Sequence, residues 1–171
     1  MTSRQELIVT RRVDFRLVTA TDAHFAWLLG APAPDSLTLA EGGLETPEIL
    51  TMLRGIAAEL RHAIGAGAWL IVAGTEVVGL ISYMAPPDQH GHVEIGFGIA
   101  ATRRRRGHVT RAVAELIALT RAQNLARCLT AEAKVDNIGS QTALTRNGFM
   151  ACHTRLTEED GEVIGWQLPL T

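Results

Sequence analysis

Lysine is nearly missing from this sequence: among its 16 basic residues only Lys134 is a lysine, which reads as compositional bias rather than mechanism. Cysteine is scarce too. Cys128 and Cys152 are too few and too isolated for a disulfide framework, and no C-x-x-C pair suggests zinc. A reduced, cytoplasmic setting is the default expectation. No apolar run approaches the length of a membrane span. The polar start from Met1 to Glu6 lacks the apolar region of a secretory leader, so none is expected. A net charge of −2 excludes a chain that is basic as a whole, and whatever positive charge matters is local. Repeats, low-complexity tracts and linkers are absent, so residues 1–171 are expected to form one domain.

Against these absences stand 47% apolar and 20% charged residues, ordinary for a globular protein with a substantial core. Val13 to Val18 alternates like a strand. Thr21-Asp22 caps a short helix to about Leu29, and Gly30 to Glu45, with Pro32, Pro34, Gly42 and Gly43, reads as an irregular loop. Thr46-Pro47-Glu48 opens a second helix. Its apolar stripe of Ile49, Leu53, Ile56, Leu60 and Ile64 is expected to be core. Trp69 to Ala73 and Val77 to Met84 form a hairpin through Gly74-Thr75. Val93 to Ile99 is a further strand. A helix from about Gly107 carries Val109, Ala112, Val113, Leu116, Ile117 and Thr120 on one face. A strand at Cys128 to Ala133 and a helix from Asn137 to Asn147 follow. Two strands, Phe149 to Leu156 and Val163 to Leu168, close the chain around the turn Glu158-Glu159-Asp160-Gly161. The sum is a mixed α/β sheet with helices packed on its faces.

The run Ile99-Ala100-Ala101-Thr102-Arg103-Arg104-Arg105-Arg106-Gly107-His108-Val109-Thr110 carries the most information. It joins a strand to a helix, and a helix N-terminus offers unpaired N–H donors and partial positive charge to an anion. Four consecutive arginines add to that field, and a pyrophosphate is the natural guest. A block of arginines can also be a solvated face or a nucleic-acid patch, a reading that predicts steep salt dependence but finds no interleaved aromatic platform.

The spacing Arg104-x-x-Gly107-x-Val109 resembles the Q/R-x-x-G-x-G/A loop of the GCN5-related N-acetyltransferases (GNAT). Asp136-Asn137-Ile138-Gly139-Ser140, continuing to Asn147-Gly148-Phe149, resembles the N-x-x-S/A…G-F segment of that superfamily, and Val93 to Ile99 resembles its central strand. The likeness is closest between Val77 and Phe149. It is nearest to the branch that acetylates protein N-termini, including ribosomal proteins. It implies a mixed, mostly antiparallel central sheet, splayed at its middle, with helices on both faces. It further implies acetyl-CoA as cosubstrate, no metal, and a primary amine on a protein N-terminus or small molecule as acceptor. Neither nucleic acid nor membrane is implied as partner, and the chain would work as a monomer or homodimer.

By this resemblance the amides of Phe97, Gly98 and Ile99 meet the pantetheine and thioester. Arg104, Arg105, Arg106, Gly107, His108, Val109 and Thr110 form the pyrophosphate loop, with Val109 bulkier than the usual Gly or Ala. Asn137 caps its helix or bonds the pantetheine arm. Glu94 stands where a strand glutamate serves as base. It is expected on the face of Gly96 and Gly98, opposite Val93, Ile95 and Phe97, with its pKa raised by apolar surroundings. A surface or salt-bridged Glu94, with deprotonation through water, is the alternative. Leu144 takes the place of the tyrosine that protonates the leaving thiolate in many members, and Ser140 is the candidate hydroxyl near the sulfur, or else a local cap. His90 and His92 read as loop or substrate rim rather than metal ligands. Acceptor specificity falls to the Gly30 to Glu45 loop and its neighbouring helices. A catalytically silent acyl-CoA-binding module is the competing reading, prompted by the missing tyrosine.

Overall fold

A computed structural model describes residues 14–170. Val13, expected to start the first strand, and the segment Met1 to Glu6 lie outside them. The described chain runs β1 (Phe15–Thr19), α1 (Asp22–Leu28), β2 (Thr38–Leu39), α2 (Pro47–Ile64), β3 (Ala68–Ala73), β4 (Glu76–Tyr83), β5 (His92–Ile99), a 3₁₀ turn (Ala101–Arg103), α3 (His108–Ala122), β6 (Cys128–Lys134), α4 (Ile138–Arg146), β7 (Met150–Thr157) and β8 (Gly161–Pro169). The strands order as β1-β3-β4-β5-β6-β8-β7, with β2 paired to β4. Pairing is antiparallel except between β5 and β6 and between β2 and β4. The mixed, mostly antiparallel sheet expected from the sequence is the one observed.

Helices cover both faces of the first half of that sheet. Leu70 and Val72 of β3 pack with Phe25 of α1 and with Leu50 and Ala57 of α2. The alternate residues Trp69 and Ile71 pack with Val113, Leu116 and Ile117 of α3. A strand buried on both faces reads as an unbroken apolar run, as Trp69 to Ala73 does. In α2 the stripe is turned from its expected setting: Leu50, Ala57 and Leu60 are buried, whereas Ile49 is 38% exposed. Ile49 and Leu50 share the first turn, and it is Leu50 that faces the sheet.

Local signals fix the helix ends. Thr21 caps α1 through a capping box completed by His24. Thr46 caps α2, which begins on Pro47 and ends at Gly65 in the left-handed region (φ 84°); both termini match the sequence reading. His24 is buried with two partners: the Thr21 N–H donates to Nδ1 (3.0 Å), and Nε2 bonds Asp35 (3.0 Å). Those bonds pin the segment after α1. That segment is not wholly irregular, because Thr38 and Leu39 pair in parallel with Glu76 and Val77. A bulge where the β3 register steps from Ile71↔Gly79 to Val72↔Val77 lets Val78 C=O accept from Ala100 (2.8 Å) while Val77 C=O accepts from Ala40 (3.0 Å). At the end of β6, Lys134 pairs with Asp160 of the β7–β8 turn (2.9 Å).

The sheet opens at β5. His92 to Glu94 pair with Cys128 to Thr130 of β6, but Ile95 to Ile99 pair only with β4. Tyr83 pairs with Ile95 where the opening begins, but its side chain is turned into the core. It is 1% exposed, stands edge-on to Trp69, and its hydroxyl is 2.7 Å from Thr120 Oγ1. Burial pushes its pKa up, and its ring stays in the core. Tyr83→Phe should therefore cost about 1 kcal/mol of stability, the usual worth of one buried hydrogen bond, measured by urea unfolding. A loss well above that would mean that the hydroxyl holds more than Thr120.

Candidate active site

Alternation along β5 divides its residues by role. Val93 and Ile95 are core, with Phe97 and Ile99 packed against them, so Glu94, Gly96 and Gly98 share the other face. The backbone alternates as well. Glu94 C=O accepts from Met84 (2.9 Å) and the Ala100 N–H reaches Val78. In an antiparallel ladder the even residues between them face β4. The N–H and C=O groups of Phe97 and Ile99 therefore open on the gap left by β6, while the Gly98 N–H is turned to Leu80. Of the three amides expected to meet a ligand, two face it. Gly98 contributes by lacking a side chain, since a Cβ there would collide with Glu45 Oε1. Gly96 likewise leaves room for the Met84 sulfur, which lies 2.8 Å from where a Cβ would stand.

Beyond β5 the chain turns through two left-handed residues, Arg105 (φ 61°) and Gly107 (φ 76°), before entering α3. The arginine block is not uniform. Arg103 grips Glu76 through paired bonds of 2.7 and 2.8 Å, and Thr102 donates to Glu41 C=O (2.9 Å). These two contacts lock the turn to β4 and to the segment after β2. Within the described residues the chain offers no backbone acceptor to the N–H groups of Arg104 through Thr110. They collect at the N-terminal end of α3, where the helix has no side-chain cap. Rows of unbonded amides with fixed positive charge are an anion site. His108 stacks on Phe15, and its pKa is lowered by burial and by Arg106, so a neutral ring faces the site.

A cleft of about 1220 Å³ joins these features. Phe97, Gly98, Ile99, Arg104 to Thr110, Asn137 and Ser140, each a candidate from the sequence, all line it. Asn137 caps α4 by accepting from the Ser140 N–H (3.1 Å), which leaves the serine hydroxyl on the cleft wall. Leu144 lies fully buried in the core and is not part of that wall. His90 lies in the turn before β5 and His92 is the first residue of that strand; Asp88 Oδ1 accepts from both N–H groups (2.8 and 2.9 Å).

Glu94 is placed apart. It borders a smaller hollow of about 360 Å³ with Thr130, Glu132, Cys152 and His153. Desolvation, then the like charge of Glu132, pushes its carboxyl above the ordinary range, and Arg155 opposes them. Glu132 is itself held by Arg155 at 2.8 and 2.6 Å. Two charged wall residues are not singled out by the sequence, although each lies in a segment that is. Arg146 reaches the cleft from the last turn of α4, and Glu45 reaches it from the residue before the α2 cap. Desolvation raises the Glu45 pKa, and Arg104 lowers it.

A family model described as an acetyltransferase (GNAT) domain matches residues 12–150. An uncharacterized N-acetyltransferase of Bacillus subtilis, YjdG, is 32% identical over 108 residues, which make up 62% of this chain. The match takes in 64% of that relative's length, just under two thirds. Among solved structures, the acetyltransferase of the N-terminal serine of ribosomal protein L7/L12 from Salmonella typhimurium aligns with a TM-score of 0.69 at 18% identity, covering 91% of this chain and 94% of that one. A spermidine N-acetyltransferase chimera of Vibrio cholerae and human sequences aligns at 0.70 and 12% identity, covering 91% and 95%. At such identities the likeness is one of fold.

The Arg103–Glu76 pair gives this site a signature in acid. Arg103 holds the Glu76 carboxyl below its ordinary value, so the pair stabilises the fold above the unfolded carboxylate pKa near ~4.3 and is lost as pH falls through the lowered folded value. Glu76→Gln should cost no more than about 1 kcal/mol at neutral pH. The difference from wild type should vanish in acid, as read by denaturant midpoints across pH.

Proposed function

The chain belongs to the GNAT acetyltransferase family, and from that premise we propose that it moves an acetyl group from acetyl-CoA to a primary amine. The observation that carries the reading is the row of unbonded amides from Arg104 to Thr110, set in a cleft that continues to the open edge of β5. Those amides, with the side chains of Arg104, Arg105, Arg106 and Arg146, suit a pyrophosphate. The gap-facing groups of Phe97 and Ile99 suit an extended arm with amide character, and a backbone N–H there can hold a carbonyl oxygen as negative charge develops on it.

In this reading the acceptor loses one proton to Glu94, directly or through water. The C–N bond then forms as the C–S bond breaks, and the second N–H proton goes to the departing sulfur, with the Ser140 hydroxyl as the proposed donor on the α4 wall. A thiol of pKa about 8.5 is a fair leaving group, so a tyrosine in place of Leu144 is not required. Neighbours of the same fold act, by their names, on a ribosomal protein N-terminus and on spermidine. Both peptide and small-molecule amines are therefore proposed acceptors. The enzyme would work in the cytoplasm as a monomer or homodimer, with neither nucleic acid nor membrane as partner. Among the described residues no helix is long and apolar enough to cross a membrane. The buried Leu144 and Tyr83 keep a second reading in view, a silent acyl-CoA-binding module, which acetyl-CoA turnover with any amine would eliminate.

Two substitutions test the parts separately. Gly107→Glu forces a left-handed backbone onto a side chain and sets a negative charge among the free amides, so calorimetry should find CoA binding weakened by about tenfold or more. Unchanged affinity in a folded variant would remove the turn from the site. Glu94→Gln should lower turnover by about 10²-fold and leave acetyl-CoA affinity nearly intact. It should also flatten the rising limb of the pH–rate profile, since the raised carboxyl is the group that must be ionised. A limb that survives would assign deprotonation elsewhere.

A further inference from the structure

Glu45 is the side chain that the cleft has no evident use for as an anion site. A carboxylate opposes the binding of a polyanion, yet this one stands on the wall of a cleft otherwise lined with arginine. The second cleft carboxylate, Asp136, sits beside the start of α4. Glu45 instead lies against β5, with Oε1 in the space that a Cβ on Gly98 would fill. That places it one residue from the gap-facing amide of Phe97, on the face that Gly98 shares with Glu94.

The position is built rather than incidental. β2 is tied to β4, Ala40 to Val77, and Glu41 C=O accepts from Thr102. The chain then reverses at Gly42 (φ 83°) and Gly43 (φ 75°) and is fixed again by the Thr46 cap. Glu45 is held between two anchored points.

We propose that Glu45 is the acceptor-recognition residue: its carboxylate binds the protonated amine of the acceptor over Gly98, so that acceptors enter the site as primary ammonium ions. The inference rests on the acetyl-transfer reading and adds to it the charge state in which the acceptor is selected. It leaves the proton to Glu94, four residues along β5 and about 13 Å away at a strand's rise, so that transfer then runs through water. A charge-assisted hydrogen bond between an ammonium and a partly desolvated carboxylate contributes about 1.5–3 kcal/mol, enough to discriminate a cationic amine from a neutral one by at least tenfold. Arg104 is the charged group acting on Glu45 from the turn after β5, and β5 itself presents Gly98 there. The balance at this carboxyl favours a raised pKa, since desolvation is the larger influence. Recognition should therefore fade on acidification at a pH above that of an ordinary carboxylate, while the amine, with a pKa near ~10, stays charged throughout.

Binding of 2-phenylethylamine to the protein–CoA complex, followed by calorimetry, reads this step without any chemistry. Glu45→Gln should weaken the amine by about tenfold or more and leave CoA affinity unchanged or tighter. Gly98→Ala, which pushes the carboxylate aside without removing it, should weaken the amine in the same direction. Lowering the pH from 7 to 4 should weaken amine binding to wild type and barely alter it in Glu45→Gln. In turnover with acetyl-CoA, Glu45→Gln should raise the KM for the amine more than it lowers kcat. Equal amine affinity in wild type and Glu45→Gln, or an effect confined to CoA, would overturn the assignment, as would a wild-type complex that binds no amine. A wild type that binds amine through Glu45 yet forms no acetylated product would overturn the transferase reading instead.

Discussion

The parting of β5 from β6 after Glu94 is the constraint that the rest of the molecule serves. Backbone N–H and C=O groups must find partners, and leaving them unpaired out of water costs about 1–3 kcal/mol each. The gap therefore survives only because β5 is secured from other directions. Its register with β4 extends from Ile95 to Ile99, and its alternate side chains lock into the core beneath, beside α3. The opposite face is kept bare by Gly96 and Gly98, whose missing side chains admit Met84 and Glu45. An open edge held this rigidly is a preorganised receptor for an extended polar ligand.

Charge is partitioned around that opening. One end of the cleft gathers helix N-terminal amides and guanidinium groups, while carboxylates stand along the face of β5, Glu45 over Gly98 and Glu94 beside the second hollow. Arg103 takes no part in the free field, since Glu76 engages it fully in the fork geometry that arginine and carboxylate share. The arginine run thus divides into one residue that sets the shape of the turn and three that supply potential.

Much of this was legible in the sequence, because the signals concerned are local. Thr21, Thr46, Pro47 and Gly65 mark helix ends through capping chemistry that needs no tertiary context. The alternation of Val93, Ile95 and Phe97 against Glu94, Gly96 and Gly98 fixes two faces without knowledge of the neighbours. What escaped depends on contacts distant in sequence. β2 is two residues long and exists because a bulge in the β3–β4 ladder lets Val77 turn its carbonyl toward Ala40. The rotation of the α2 stripe from Ile49 to Leu50 follows from where the helix docks, and periodicity alone does not specify that. The direction of the Gly98 N–H follows from the ladder with β4, which the residue types of β5 do not reveal. Glu45 ends the loop to which acceptor specificity is assigned as a whole, yet the residue itself is not legible there, since nothing local distinguishes a carboxylate aimed at a strand 53 positions later from one in solvent.

The use of arginine rather than lysine around the cleft has a chemical consequence. A guanidinium keeps its proton at every biological pH and has no free lone pair to offer an electrophile. On the acetyl-transfer reading, a lysine on the same wall would be a primary amine lining the cleft that admits the thioester, and any fraction that lost its proton could compete with the intended acceptor. The chain's single lysine ends β6, outside the residues that line the cleft, and its ammonium is kept protonated by Asp160. On that reading the positive wall is inert toward the reagent it is suited to hold.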